Sequence, residues 1–231
     1  MRVLPLLALM PALLGPSLAA AEPLRAALPE HRLLSSSETD SFEPALLDAL
    51  GEALGQAVTS TPQPDSAELR LGSADAGSLY YRSVPAALTA SEGGAVDWQH
   101  LRDQPVCLVA ASPHAPLVVQ RFGARPREYP STAHALIGLK LGECRAVVED
   151  QRLLAEMAKL PEWRRYDRLL PALEEGGQQL RIGTADAALQ ARIDGLLAQW
   201  REEGKLEELI RFWIDEVAFQ AYVLADTLDC H

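Results

Sequence analysis

The sequence predicts an α/β chain folded into two lobes, with mostly parallel sheets and an interlobe cleft. Three observations carry this. Apolar, β-prone segments alternate with segments of helical periodicity, which is the signature of a parallel-rich sheet flanked by helices. Val106 to Val148 reads as one strand–helix–strand–helix–strand unit. A strand at Gln179–Gly183 then returns to the first lobe before the closing helices, so the chain goes out to a second lobe and comes back. Ligands in such folds lie outside the carboxyl ends of the strands.

Taken in order, Leu24 to Ala27 is a first strand, followed by a polar loop over His31–Asp40. Ser41 is placed to cap a helix whose apolar face is Phe42, Leu46, Leu47, Leu50 and Leu54, with Gly55 as its stop. Ala57–Ser60 and Ala67–Leu71 are short strands separated by Pro62 and Pro64, and a small-residue loop follows at Gly72–Gly77. Tyr80–Thr89 is apolar with Pro85 inside, which restricts it to an edge or crossover strand. Trp98 sits in a short helix or turn at Val96–Leu101, and Val106–Ala111 is a buried strand. Ser112-Pro113 has the N-cap and N1 chemistry of a helix start, and Gly123 ends that helix. Ser131 caps the next helix, and Cys144–Val148 is the following strand. Gln151–Leu160 is helical up to Pro161, and Leu169–Glu175 is ambiguous. Asp186 caps a long helix through Trp200, Gly204 breaks it, and Lys205–Trp213 closes the pattern. An amphipathic segment remains at Ile214–His231. The expected organisation is a leader at 1–21, first-lobe segments at 22–89 and 179–213, a second lobe at 90–178, and an extension at 214–231.

The first 21 residues read as an export signal: Arg2, an apolar run from Val3 to Leu14, and the small residues Ala19-Ala20-Ala21, with the mature chain starting at Glu22. The run is shorter than a membrane span requires, so an exported protein without membrane insertion is expected. Of 231 residues, 48% are hydrophobic and 23% charged, and the net charge is −11. Such a surface repels nucleic acid and anionic lipid.

Export permits disulfides, and the three cysteines leave one over. Cys107 and Cys144 belong to strands expected to be neighbours, which makes them the candidate pair, with two buried free thiols as the alternative. Cys230-His231 has no partner spacing for a metal. The five histidines lie apart, and no GxSxG, HExxH or P-loop motif occurs. No catalytic constellation, metal site or cofactor is expected. His114, beside Ser112, is the one acid–base candidate.

Several motifs in order resemble the solute-binding protein family 3, the periplasmic receptors for amino acids and related solutes. Phe42–Gly55 is similar to the family's first helix, and Tyr80-Tyr81-Arg82-Ser83 to its "PYY" element. Leu101–Ser112 is similar to "L.GK.VGV..GT", Ala146–Asp150 to "DAVVGD", Leu180–Leu189 to "GIAVRKGDPEL", and Gly204–Trp213 to the terminal "G.L..I..KW". The resemblance implies a periplasmic location, a periplasmic-binding-protein-like fold and an amino-acid-like ligand, with an ABC permease or another periplasmic protein as partner. It makes Asp150 the acceptor for a ligand ammonium, Ser112 a hydroxyl at the anion-binding start of a helix, and Ser73 a first-lobe contact. The bland role of Asp150 and Ser112 is helix capping.

The chain departs from the family on its first-lobe ligand side. The "T..R" element, whose Arg clamps the ligand carboxylate, is replaced by Gly72–Leu79 without Thr or Arg. A helix is missing near Ser60–Ala67, and His31–Ser37 stands where an aromatic "PPF" is usual. The first lobe is therefore expected to be truncated. Arg32, Arg70 and Arg82 are the candidate replacement clamps, and Tyr81 can stack on a ligand or pack in the core. These departures, and a "YYRS" crossover similar to that of accessory proteins of periplasmic quinoprotein dehydrogenases, sustain a second expectation: an interaction protein that kept the fold and lost the amino-acid site.

Overall fold

The computed structural model describes residues 22–28, 42–73 and 75–228. The expected signal segment, the Ser41 cap, Arg32 and Cys230-His231 lie outside these residues.

The chain builds two five-stranded sheets. The first contains β1 (Leu24–Ala27), β2 (Val58–Thr61), β3 (Leu69–Ser73), β4 (Ser78–Ser83) and β10 (Gln178–Thr184), in the order β2-β1-β3-β10-β4. The second contains β5 (Pro85–Thr89), β6 (Pro105–Val109), β7 (Arg125–Tyr129), β8 (Ala146–Asp150) and β9 (Arg168–Leu170), in the order β7-β6-β8-β5-β9. Each sheet has a parallel triplet, β2-β1-β3 and β7-β6-β8, extended by two strands through two successive antiparallel pairings. With helices on the sheets, this is the two-lobe α/β architecture the sequence predicts.

Tyr80–Thr89 is two strands, not one. Val84 separates β4 from β5, and the two strands belong to different sheets. Pro85 has no N–H for a ladder, and Val84 gives its own N–H to the Asp150 Oδ2 at 3.3 Å, so strand pairing lapses there and the chain passes between lobes. The crossing falls ahead of the boundary expected at 89. The return crossing lies between β9 and β10.

The first lobe is short where the sequence suggested. A single 3₁₀ turn, Pro64–Ser66, joins β2 to β3. Helix α1 (Glu43–Leu54) starts without a side-chain cap, with Pro44 in its first turn, and ends at Gly55 in the left-handed region, φ 69°.

In the second lobe, α2 (Ala115–Phe122) begins later than Ser112-Pro113 suggested, and its N-cap is His114. The chain leaves β6 through a tight turn with Ala111 at φ 56°, and Ser112 N–H bonds to the Val109 carbonyl. This turn uses Ser112 before the helix begins. Strand β7 (RPREY) lies at the sheet edge with mostly exposed residues, so it has no apolar alternation to betray it. Helix α3 (Thr132–Lys140) is capped by Ser131, whose Oγ accepts the His134 N–H at 3.2 Å. A disulfide joins Cys107 on β6 to Cys144 ahead of β8, with Cα atoms 5.6 Å apart. Gly138 allows α3 to lie against this bridge: a Cβ there would meet the Cys107 sulfur at 3.0 Å and the Tyr129 ring at 2.6 Å.

Helix α4 (Gln151–Met157) follows β8 directly, and α5 (Ala187–Glu203) is capped by Asp186. The last helix is longer than expected. Residues 214–228 do not form a separate extension but continue the closing helix as one unbroken α6 (Lys205–Leu228). Its first half closes the first lobe with Leu206, Ile210 and Trp213. Its second half packs Ile214, Val217 and Ala221 into the same apolar cluster as Ala133, Leu136 and Leu139 of α3. One cluster thus runs from β1, β3 and β10 to β8, α3 and α4, and α6 ties the lobes together. No helix among the described residues is long and apolar enough to cross a membrane.

Candidate functional site

The junction of the lobes is built from the ends of β4 and β8, the start of α1 and the middle of α6. Phe42 lies edge-on to Tyr80 and Tyr81, with centroids 5.7 and 5.2 Å away, and Trp213 reaches Phe42 and Tyr81 at 6.1 and 6.3 Å. These four aromatic rings form an apolar wall. Two buried carboxylates border it. Tyr80 donates to Glu43 Oε1 at 3.1 Å, and Tyr81 donates to Asp150 Oδ1 at 2.6 Å. Glu43 is the first residue of α1, where the helix dipole favours a negative group.

Asp150 ends β8 and is 1% exposed. It caps α4, its Oδ1 accepting the Arg152 N–H at 2.9 Å as well as the Tyr81 hydroxyl, while Oδ2 accepts the Val84 N–H. A carboxylate has about four acceptor sites. Three are filled by the chain: the phenol from the first lobe and the N–H of Val84 from the crossover tie the junction, and the N–H of Arg152 is the local cap of α4.

The other expected site residues are spread around this junction. Ser112 is buried at the carboxyl end of β6, and its Oγ accepts the His114 N–H at 3.3 Å. His114 is itself buried at the start of α2. Ser73 ends β3 on the first-lobe sheet and donates to Gln178 Oε1 at 3.1 Å. Arg82 is 61% exposed and pairs with Glu174 at 2.8 Å, so its guanidinium faces away from the buried Asp150. The structure thus brings Tyr81 to Asp150, places Ser112 on a neighbouring strand end of the same lobe, leaves Ser73 apart from them and turns Arg82 to Glu174.

Sequence reasoning missed Glu43 and Glu149. Glu149 is buried beside Asp150, and its Oε1 accepts the Asp150 N–H at 3.0 Å. An acidic pair at the end of an otherwise apolar strand, and a Glu heading an apolar helix, were the available signals. At the carboxyl ends of β6, β7 and β8 the second lobe therefore gathers buried Ser112, His114, Ser131, Thr132, Glu149 and Asp150.

No family model matches the sequence, and no curated protein matches it. Solved structures do match the fold. An arginine-binding periplasmic protein of Salmonella typhimurium superposes with a TM-score of 0.60 at 16% identity, over 84% of this chain and 100% of that one. The binding protein of an arginine transport system of Legionella pneumophila gives 0.58 at 15% identity, over 84% and 100%. An ancestral amino-acid-binding protein, described as a precursor of cyclohexadienyl dehydratase, gives 0.60 at 15% identity, over 83% and 95%. The chain has the two-lobe fold of amino-acid-binding periplasmic proteins, as its motif order suggested.

Proposed function

We propose that this protein is a periplasmic solute-binding protein that receives a small amino-acid-like molecule between its lobes, for ABC-type uptake or for sensing. The observation that carries this is the buried Asp150 carboxylate at a strand end, joined across the lobes by the hydroxyl of Tyr81. A ligand ammonium is a stronger donor to a carboxylate than a phenol is, because its bond is assisted by charge on both sides. Exchange of the Tyr81 hydroxyl for such a ligand is therefore the binding step of this reading, and Ser112 at the next strand end offers a further hydroxyl. Without an Arg in the "T..R" position, the ligand carboxylate, if there is one, is held by neutral donors. Solutes rich in ammonium groups are favoured over acidic ones.

A second reading has its own support. Helix α6 packs on both lobes and opposes wide hinge motion, and Asp150 is satisfied by the chain itself. Both features suit a protein that kept the fold as a rigid platform for another periplasmic protein. Thermal unfolding against amino acids, polyamines and small carboxylates separates the two. A specific rise in Tm for an ammonium-bearing compound, lost in Asp150→Asn, supports the receptor. A well-folded protein with no shift across the panel supports the platform.

A further inference from the structure

A pocket of about 400 Å³ lies beside the edge strand β4, at the turn from α5 to α6. Its lining includes Arg82, Arg152 and Arg201, and Glu207 as its one carboxylate. Ser73, Ser112 and Asp150 are not in its lining, but Tyr81, whose hydroxyl bonds Asp150, is. Three guanidiniums against one carboxylate run counter to a chain whose net charge is −11. The neighbouring groove between α4 and α6 shows the contrast. Its charged lining is balanced, Arg152, Lys159 and Arg211 against Glu156, Glu207 and Asp215.

The three arginines are not equivalent. Arg82 pairs with Glu174, and Arg152 pairs with Glu207. Arg201 donates one N–H to the Leu79 carbonyl at 2.9 Å and makes no ion pair among the described residues. A guanidinium has five donors in a planar fork, so Arg201 keeps donors for an oxyanion. Arg82 and Arg201 belong to first-lobe elements, β4 and α5. Arg152 belongs to α4, in the second lobe.

We propose that this pocket is a second binding site, for a small multivalent oxyanion carrying carboxylate or phosphate groups. The anion engages Arg201 and Arg82 on one side and takes Arg152 from Glu207 on the other. It thereby bridges the two lobes beside Tyr81, through guanidiniums rather than through the Asp150 carboxylate. Glu207 occupies in the free protein the position that the anion's charge takes in the complex. This site does not depend on the solute role proposed above, and either can fail alone.

The test is thermal unfolding and calorimetric titration of the purified protein with citrate and with inorganic pyrophosphate, at ionic strength held constant with NaCl. The expected result is a saturable rise in Tm with at least one of them. Citrate alone assigns carboxylate chemistry, pyrophosphate alone assigns phosphate, and both together assign a site that reads charge. Arg201→Gln is expected to weaken binding about tenfold, the loss of one charge-assisted contact. Glu207→Gln releases Arg152 and is expected to tighten binding, a gain that misfolding does not produce. Equal midpoints in citrate, pyrophosphate and NaCl would overturn the proposal. So would binding that is unchanged in both Arg201→Gln and Glu207→Gln.

Discussion

The two lobes face their shared junction with different chemistry. The second lobe presents buried polar side chains at three consecutive strand ends, on a sheet stapled by the Cys107–Cys144 disulfide. The first lobe presents the aromatic wall of Phe42, Tyr80 and Tyr81, and its Arg25–Glu68 and Arg82–Glu174 ion pairs lie at the surface. The difference teaches that most of the buried polar side chains at the junction come from the second lobe, while the first lobe meets them with aromatic rings and the buried carboxylate of Glu43. In this arrangement Tyr81 is, among the described residues, the one first-lobe side chain that reaches across with a hydrogen bond to Asp150.

Removing the wall is the strongest way to break this comparison. Trp213 is 2% exposed and touches both Phe42 and Tyr81. Trp213→Ala is expected to cost about 3–5 kcal/mol in urea unfolding, because a cavity opens between the lobes. Opening the staple acts on the second lobe alone. The bridge closes a sequence separation of 37 residues, and the Cys107→Ser/Cys144→Ser pair is expected to cost about 2–4 kcal/mol, measured in the same way.

Tyr81→Phe tests the link between the lobes. It removes one hydrogen bond to a buried carboxylate and is expected to cost about 1–3 kcal/mol. The protein remains folded, since the ring keeps its place against Phe42 and Trp213.

The pH dependence separates the lobes with smaller effects. In the first lobe, the Arg25 guanidinium hydrogen-bonds the Glu68 carboxylate and lowers its pKa from 4.5 to about 2. A depressed pKa contributes stability above 4.5 that is lost as the pH falls from 4.5 through 2. Glu68 is exposed, so this contribution is small and salt reduces it. In the second lobe, burial and the hydrogen bond to Glu143 raise the Tyr129 phenol from 10.0 to about 12. A raised pKa contributes stability below pH 10 that is lost as the pH rises through 12. Glu68→Gln should therefore flatten the acid limb of the stability profile and leave the alkaline limb alone. Tyr129→Phe should do the reverse.

The smallest effect is expected on the outer face of α6. Phe219 is 61% exposed. Phe219→Ser should change stability by no more than about 0.5 kcal/mol, against the large loss at Trp213 on the inner face of the same helix.

Much of the fold was legible because it rests on local chemistry. Helical periodicity marked α1, α5 and the first half of α6, and Ser131 and Asp186 were readable as caps. The strand β7 was implied only by the strand–helix–strand–helix–strand order of Val106–Val148, because an exposed edge strand with two arginines and a glutamate carries no apolar period of its own. Ser112-Pro113 looked like a helix start, yet the turn through Ala111 claims the serine first. One residue of the candidate site was legible as well: Asp150 stood out as a carboxylate after an apolar strand. Its bond to Tyr81 was not, since 69 residues separate the two and only the crossover at Val84 brings them together. The continuation of α6 past Trp213 was hidden for a similar reason. Its apolar face serves the second lobe, while the sequence before it serves the first.

The central claim is that the Tyr81 hydroxyl holds the place of a ligand ammonium on Asp150. Calorimetric titration of wild type and Tyr81→Phe with the twenty amino acids and with polyamines tests it most directly. The account predicts that an ammonium-bearing compound binds, and that it binds Tyr81→Phe more tightly because no phenol has to be displaced. Binding that weakens in Tyr81→Phe, or no binding to either folded protein, would contradict it.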